Sequence, residues 1–354
     1  MALFEAAPNS LCILRLSAIG DVCHAISVVQ AIQKEWPSTQ ITWITGSVEA
    51  QLIQDLPGIE VLFFDKKTGL KGMKAIWTQL GNRQFDALLH MQAAIRASIL
   101  TLGIKAKHKI GFAKNRTREG QRWFVTKLYP DTDAIHVLDN FAEFAKYIGV
   151  PFEHPQWNIP LSQHDKKLAI ENLSMDQRNV VICAAASTDD RNWTTDGYAQ
   201  FADYAANRGF SVTLCGSPAP REIALANRIA ELSETQVINL VGKTNLKQLT
   251  AILARADVVL APDTGPAHLA VTQGTPVIGL YAHSDPGRTG PYGNLDYVCS
   301  VYEKFAAQQT GPSVRLSWGR RNKGADLMQA IPLALVQEKF DLVCEQIINN
   351  PSAR

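Results

Sequence analysis

The segment from Asp257 to Tyr281 constrains the fold of this chain more than any other. Its sequence, DVVLAPDTGPAHLAVTQGTPVIGLY, contains two apolar runs separated only by a Pro-Asp-Thr-Gly-Pro turn and a short helix. The first run predicts a buried parallel strand, and the turn predicts a helix whose free N–H groups point beyond the carboxyl end of that strand. An anionic ligand is expected there, with His268 adding a donor. The alternative is that Asp263 or Thr264 only caps the helix.

The same alternation of strands and helices runs through both halves of the chain, which predicts parallel sheets covered by helices. A length of 354 residues exceeds the usual size of one domain. We therefore predict an α/β protein with two Rossmann-like domains, at residues 1–155 and 156–332. The proline-containing stretch 149–161 is the predicted linker. A C-terminal helix at 333–354 is a candidate to pack back on the first domain.

The predicted strands can be placed from short apolar runs between turn signals. They lie at residues 11–16, 40–45, 60–64, 87–90 and 109–111 in the first half, and at 179–184, 211–215, 237–239 and 258–261 in the second.

Basic residues are unevenly distributed along the chain. Between Arg96 and Lys127 there are nine Lys or Arg residues and one acid, Glu119, which gives this block a local charge of +8 against +2 for the whole chain. Such a block is compatible with a solvated face, a nucleic-acid patch, a groove for a polyanionic substrate or an anionic membrane surface.

Cysteine usage and hydropathy indicate the compartment. The six cysteines are scattered without a C-x-x-C pair, so neither a disulfide framework nor a zinc site is expected. No apolar run reaches the roughly 18 residues that cross a bilayer, and the start, MALFEAAPNS, lacks the basic region of a signal peptide. We expect a soluble, cytoplasmic protein.

The first predicted strand is followed by a Ser-Ala-Ile-Gly-Asp turn. A dinucleotide site is not expected here, because Gly20 stands alone where G-x-G-x-x-G needs three glycines. Asp21 places a carboxylate at the first turn of a helix, where open α/β folds bind ligands and where the helix dipole favours the ionised form. We predict that Asp21 is a general base, the alternative being a helix cap. Gly20 would let a second substrate approach the backbone.

A second polar cluster follows the predicted strand VVICA. In AASTDDRNW, Ser187 and Thr188 supply hydroxyls and Arg191 supplies a cation, as a diphosphate leaving group requires. Arg191 could equally pair with Asp189 or Asp190. With the Pro-Asp-Thr-Gly-Pro turn, this cluster predicts a diphosphate cradle in the second domain that faces a base in the first. No metal is expected, since no Asp-x-Asp follows a predicted strand.

Three motifs, RLSAIGDVCH, AASTDDRNW and DTGPAHLA, occur in order over nearly the whole chain. Together they resemble the motifs of the ADP-heptose:lipopolysaccharide heptosyltransferase family, glycosyltransferase family 9. The Gly-Asp-Val-x-His form of the first motif favours the enzyme that adds the first heptose over the one that adds the second. The resemblance implies a GT-B fold, in which two Rossmann-like domains face each other across a cleft.

The resemblance also implies a reaction and a set of sites. Heptose would pass with inversion from ADP-heptose to a Kdo residue of Kdo-lipid A, with Asp21 as general base and without a cofactor or obligatory metal. Arg191 stands where the family usually has Lys, which keeps the charge and changes its geometry. Donor and phosphate contacts are assigned to Ser187, Thr188, Arg191, Asp263, Thr264, Gly265 and His268, nucleoside contacts to Glu222, Lys243 and Thr244, and acceptor contacts to Gly20, Arg96, Arg116, Arg118, Arg122 and Arg288.

The expected partners are the nucleotide-sugar donor, the anionic lipid A-Kdo acceptor and the inner-membrane surface, with no nucleic acid. Two other functions suit the same fold. A GT-B nucleotide-sugar 2-epimerase needs no large cationic acceptor surface, so the +8 block speaks against it. For a non-catalytic nucleotide-binding protein, Asp21 would be replaceable.

Overall fold

The structure is a computed structural model that describes residues 2–311, 314 and 316–349. The chain divides into two units, at residues 1–160 and 161–354. The first unit consists of β1 (Ser10–Leu14), α1 (Ile19–Glu35), β2 (Gln40–Gly46), α2 (Ala50–Ile53), β3 (Ile59–Phe64), α3 (Gly69–Leu80), β4 (Gln84–His90), α4 (Ile95–Leu100), β5 (Lys105–Gly111), β6 (Lys127–Leu128) and α5 (Val137–Ile148).

The second unit repeats the alternation of strands and helices. It consists of α6 (Gln163–Asn172), β7 (Arg178–Ile182), α7 (Thr195–Asn207), β8 (Phe210–Leu214), α8 (Pro220–Leu232), β9 (Val237–Asn239), α9 (Leu246–Arg255), β10 (Val258–Pro262), α10 (Gly265–Thr272), β11 (Val277–Tyr281), α11 (Pro286–Thr289), β12 (Cys299–Ser300), α12 (Tyr302–Thr310) and α13 (Leu333–Asn349).

Both sheets have the same topology. Within the described ranges, the first is a six-stranded parallel sheet of order β3-β2-β1-β4-β5-β6, and the second has the order β12-β11-β10-β7-β8-β9. In each, the chain winds outward in one direction from a central strand and then returns to that strand's other side. This is the doubly wound arrangement of Rossmann-like folds, and it confirms the predicted fold class.

Burial follows the position of each strand in its sheet. In the central strand β1, residues Leu11 to Leu14 are fully buried, as expected for a strand covered by helices on both faces. At the edge, β3 has the sequence IEVLFF and exposes Glu60 and Phe63. The continuous apolar run and the alternating one therefore distinguish a central strand from an edge strand.

The predicted linker contains the boundary between the units, but the boundary lies later than residue 155. Trp157 Nε1 donates to the Cys23 carbonyl at 2.7 Å, and the Asn158 N–H donates to Gln30 Oε1 at 2.9 Å. These bonds tie the linker to α1, so the first unit extends to Pro160.

The C-terminal helix buries its apolar face within the second unit. Val336, Phe340 and Val343 of α13 lie fully buried in the core of the second unit, and the Phe340 ring packs edge-on against Phe201 at 5.4 Å and Phe210 at 5.0 Å. That this helix packs back on the first domain stays a prediction. Residues 350–354 of the predicted segment lie outside the described residues.

Two further expectations concern the thiols and the membrane. All six cysteines are free, and burial keeps five of them away from solvent. Among the described residues, no helix has both the length and the hydropathy required to cross a bilayer.

Candidate active site

The candidate residues gather where the strand order of each sheet reverses. In the first unit the reversal lies between β1 and β4, and in the second between β7 and β10. The loops that leave two adjacent parallel strands at such a point diverge to opposite faces and leave a crevice at the carboxyl edge. Asp21 follows β1, Arg191 follows β7 and Asp263 follows β10, so each lies at this edge of its own unit.

Asp21 occupies the first turn of α1 and is only partly exposed, at 32% of its side chain. Its Oδ2 accepts a hydrogen bond from the guanidinium of Arg15, and the Ala18 N–H approaches the same oxygen at 3.4 Å. Asp21 is therefore both a capping residue and half of an ion pair. Sequence reasoning missed Arg15, although it stands next to β1. Gly20 is buried in the same helical turn.

The loop after β4 supports this turn from the other side of the reversal. Arg15 Nη1 donates to the Met91 carbonyl at 2.6 Å, and the Leu16 N–H donates to Gln92 Oε1 at 2.7 Å. Met91 in turn donates its N–H to the Leu14 carbonyl at 3.0 Å. Gln92 was not among the predicted site residues, because only the pairing of β1 with β4 brings it here.

In the second unit, Arg191 forms an ion pair with Asp263 rather than with either neighbouring acid. Its Nη2 donates to Asp263 Oδ2 at 2.7 Å and to the Asp263 carbonyl at 2.9 Å, while Nη1 donates to Ser187 Oγ at 3.0 Å. Ser284 donates its hydroxyl to the same Asp263 oxygen at 2.5 Å. This arrangement joins the loops after β7, β10 and β11 in one cluster.

The electrostatics of this cluster favour a charged carboxylate. Burial opposes ionisation of Asp263, but the interactions with His268 and with the charge of Arg191 outweigh it and lower its pKa to about 2. The His268 Nε2 lies 3.9 Å from Asp263 Oδ1. His268 is thus positioned toward this carboxylate within the cluster.

The alternative that Asp263 or Thr264 merely caps α10 does not describe the contacts. Thr264 is the N-cap residue, but its side chain makes no capping hydrogen bond, and its hydroxyl oxygen is buried without a partner among the described residues. The Asp263 carboxylate binds Arg191 and Ser284 instead. The N–H groups at the start of α10, beginning with Gly265, therefore face the crevice without a side-chain cap.

The loop from residue 185 to 192 is held by one contact within it and by two contacts from other segments. The Ala186 N–H donates to Asn192 Oδ1 at 2.6 Å, the Ala186 carbonyl accepts from Arg221 Nη2 at 2.5 Å, and His283 Nε2 lies 3.0 Å from the Asp190 carbonyl. These contacts fix a loop that exposes Ser187 and Thr188. Neither Arg221 nor His283 carries a sequence signal that identifies it, since each contact depends on strand order.

The predicted nucleoside contacts lie at the same edge, farther along the sheet. Glu222 on α8 accepts the Ser217 N–H at 2.8 Å, and it lines a small cavity with Ala185, Gly216 and Val241. A Cβ on Gly216 would lie 2.9 Å from Glu222 Oε2, so glycine permits this close approach.

Lys243 donates from Nζ to the Asn239 carbonyl at 2.7 Å. The neighbouring Thr244 is half-buried. Both residues follow β9 in the chain, as Glu222 follows β8. A nucleoside role for all three stays a prediction.

The basic block is divided between structural and exposed residues. On β5, Lys107 pairs with Asp86 at 2.7 Å and Lys109 donates to the Thr101 carbonyl at 2.6 Å. Arg116 donates to Asn140 Oδ1 at 3.0 Å and also binds main-chain carbonyls of the loop that precedes α5. These contacts give Arg116 a structural role, and an acceptor role for it stays a prediction.

The other predicted acceptor residues are more exposed. Arg96, Arg118 and Arg122 follow β4 and β5, and all three are exposed. Arg288 belongs to α11 in the second unit, where its guanidinium stacks on the Trp318 ring at 4.3 Å. The predicted acceptor residues therefore lie in both units, Arg288 in the second and the other three in the first.

A doubly wound six-stranded parallel sheet in each half, with ligand-binding loops at both reversal points, is the architecture of the GT-B glycosyltransferases. The profile of glycosyltransferase family 9 (heptosyltransferase) matches residues 73–318, and the chain belongs to this family. It is therefore a glycosyltransferase, as the motifs predicted.

Comparison with individual proteins agrees with this assignment. The chain is 52% identical over 332 residues to the lipopolysaccharide core heptosyltransferase OpsX of Haemophilus influenzae, covering 94% of this chain and 96% of that protein. A glycosyltransferase family 9 structure from Veillonella parvula superposes with a TM-score of 0.78 at 20% identity, over 98% of this chain and 99% of the other. The Escherichia coli heptosyltransferase WaaC with ADP superposes with a TM-score of 0.73 at 21% identity, over 94% and 99%.

The Arg191–Asp263 pair predicts a pH-dependent contribution to stability. The pKa of Asp263 falls from 3.8 to about 2 on folding. Asp263→Asn should therefore lower the free energy of unfolding at neutral pH by about 2 kcal/mol. The contribution of the carboxylate is present above its unfolded pKa and is lost as pH falls through its folded pKa. The difference between wild type and variant should thus shrink from pH 5 to pH 2.

Urea unfolding at pH 7, 5, 3 and 2 measures this difference. Asp189→Asn is the matched control, because its exposed carboxylate pairs with Arg221 at the surface and should contribute little. A difference for Asp263→Asn that does not change with pH would contradict the assignment.

Proposed function

We propose that the protein transfers heptose from ADP-heptose to a Kdo residue of the lipopolysaccharide inner core, with inversion at the anomeric carbon. The observation that carries the proposal is the 52% identity with a relative named lipopolysaccharide core heptosyltransferase, along nearly the whole of both chains. The Gly-Asp-Val-x-His form of the first motif supports addition of the first heptose.

ADP is the proposed leaving group, and the cluster around Asp263 supports this choice. The uncapped N-terminus of α10 offers N–H groups and a positive dipole end to a diphosphate. Arg191 supplies a fixed positive charge whose position is set by Ser187 and Asp263. The Escherichia coli relative was solved with ADP, which is consistent with the same nucleotide here.

The proposed reaction is a single displacement. Asp21 takes the proton from an acceptor hydroxyl while that oxygen forms a bond to the anomeric carbon of heptose. The bond from that carbon to the diphosphate oxygen breaks, and ADP departs with the electron pair. Donors fixed before the reaction stabilise the charge that develops on the diphosphate without reorganisation.

Three segments at the carboxyl edge of the first sheet form the proposed acceptor side. They follow β3, β4 and β5, and each exposes a large apolar side chain: Leu70 at 67%, Ile95 at 47% and Trp123 at 76%. We call this set, together with the exposed cations Lys67, Lys71, Arg96, Arg118 and Arg122, the basic apolar face.

Hydrogen bonds connect the three segments of the basic apolar face. Arg96 Nη1 reaches the Lys66 carbonyl at 3.4 Å, and the Ile95 N–H donates to Glu119 Oε2 at 2.8 Å. The Arg122 guanidinium stacks on the Trp123 ring at 4.7 Å. The apolar and basic groups are thereby presented as one surface.

The basic apolar face suits an anionic, partly apolar acceptor at a membrane surface. Cations attract anionic lipid head groups and the phosphates of lipid A, while tryptophan is favoured where water meets lipid. We therefore place the protein in the cytoplasm, in peripheral contact with the cytoplasmic face of the inner membrane.

The alternatives are less well supported. The family that matches this chain and the relative that is 52% identical to it are both heptosyltransferases, so a nucleotide-sugar 2-epimerase is not favoured. A non-catalytic nucleotide-binding protein would bind ADP-heptose without turning it over, and replacement of Asp21 distinguishes it from an enzyme.

Asp21→Asn should lower heptosyl transfer by about 100- to 10,000-fold, because proton transfer by a positioned base contributes that much. Product masses from ADP-heptose and Kdo-lipid A acceptors, with one phosphorylated Kdo or two Kdo residues, measure transfer. Binding of ADP by calorimetry should persist. Asp55→Asn, at an exposed carboxylate of the same unit, is the control. Unchanged turnover in Asp21→Asn would refute the base assignment, and no transfer by wild type from any nucleotide sugar would refute the function.

Transfer should not depend on a divalent metal, because the uncapped N-terminus of α10 offers N–H donors and a positive dipole end to the diphosphate. Turnover by the purified protein should persist in excess EDTA, with the rate after added Mg²⁺ as the comparison. Loss of activity in EDTA that Mg²⁺ restores would contradict this proposal.

Replacing two groups of the basic apolar face, Arg122→Gln with Trp123→Ala, should weaken binding to vesicles that contain anionic phosphatidylglycerol. Co-sedimentation with phosphatidylcholine vesicles with and without that lipid measures the effect, which salt should reduce. Lys166→Gln with Ile170→Ala, on an exposed face of α6, is the matched control. Equal loss in both double variants would argue against a specific membrane-binding face.

A further inference from the structure

Arg15 lies between the end of β1 and the turn that carries Asp21. We propose that Arg15 is a positioning residue for the reaction, which fixes one oxygen of the Asp21 carboxylate and leaves its other oxygen available to take a proton. This inference rests on the proposed role of Asp21 as the general base.

The two oxygens of Asp21 have different surroundings. Both of its hydrogen bonds, from Arg15 and from the Ala18 N–H, go to Oδ2. Within the described part of the chain, Oδ1 accepts no hydrogen bond. A base needs a fixed orientation and an oxygen that is available to accept a proton. Oδ2 provides the fixed orientation, and Oδ1 is the oxygen available to accept the proton.

Arg15 is held independently of Asp21. Its side chain is only 9% exposed, Nη1 donates to the Met91 carbonyl at 2.6 Å, and the guanidinium carbon lies 5.1 Å from the centre of the Phe141 ring. Contacts with the loop after β4 and with α5 therefore fix the guanidinium independently of its contact with Asp21. The carboxylate is restrained against a rigid partner rather than against a flexible surface side chain.

The charged and titratable groups around Arg15 also identify it as the cationic partner of Asp21. Burial lowers the pKa of Arg15, while the carboxylates of Asp21 and Glu49 raise it. His90 also faces this region, but burial and the charges of Arg15 and Lys109 lower its pKa to about 3, so it is neutral at physiological pH. Burial raises the pKa of the Cys23 thiol, which is neutral as well. Arg15 is thus the cation that directly contacts Asp21.

A purely structural ion pair would also hold α1 against β1, so the test must separate the two roles. Arg15→Gln removes the donor to Asp21 Oδ2 and should lower kcat at neutral pH by about tenfold or more through loss of orientation. The KM values and the binding of ADP should stay near those of wild type, because Arg15 is proposed to act on the base and not on the donor. Arg15→Lys keeps a charged donor without the planar guanidinium and should lose less of kcat than Arg15→Gln.

Arg83→Gln is the matched control. Arg83 also pairs with a carboxylate in the first unit, Glu60, but it stands before β4 at the amino edge of the sheet. Its removal should leave kcat unchanged. Thermal unfolding of each variant shows whether it is folded, and Arg15→Met, which keeps an apolar stem beside Phe141, replaces Arg15→Gln if that variant does not fold.

A double-mutant cycle completes the test. If Arg15 acts through Asp21, Arg15→Gln should cause no further loss of kcat in the Asp21→Asn background. Folded Arg15 variants with wild-type kcat, or with losses that add fully to that of Asp21→Asn, would overturn the inference. Undiminished turnover in Asp21→Asn alone would instead refute the general base itself.

Discussion

The reversal of strand order at the centre of each sheet determines where everything else lies. Adjacent parallel strands that lead to opposite faces leave a crevice at their carboxyl ends, and no side chain of the sheet itself fills it. In the first unit this crevice receives Asp21 from one loop and Met91 from the other. In the second unit it receives Arg191 and Asp263. The same topology therefore places the carboxylate proposed as the base in one half and the cluster proposed to bind the diphosphate in the other.

Charge compensation distinguishes the two crevices. Asp263 and Arg191 are both largely buried, and further partners at Ser187 and Ser284 satisfy the pair. Asp21 is paired on one side only and remains partly exposed. A buried, fully bonded pair gives a fixed framework for a leaving group, whereas a half-bonded carboxylate can still exchange a proton. The difference in burial between the two carboxylates is consistent with the different roles proposed for them.

Local pattern predicted the elements well where the signal is itself local. The strand Val237–Asn239 has the bounds expected from its sequence. The two-residue strands β6 and β12 were not predicted, since two residues show no periodicity. The apolar stripe of α13 predicted a helix but not the surface that it covers.

The site residues show the same division. Asp21, Arg191 and Asp263 could be proposed from motif and position. Arg15 was missed although it lies only six positions before Asp21, whereas Ser284 could not be proposed, because its contact with Asp263 depends on strand order. That dependence has a consequence for folding. Arg15 and Met91 are separated by 76 positions, and Arg191 and Asp263 by 72. Neither contact can form until most of its sheet has assembled, since such non-local pairing requires closure of a long intervening chain. Catalytic competence is therefore expected late in folding, and activity would report on the completed fold rather than on its early helices.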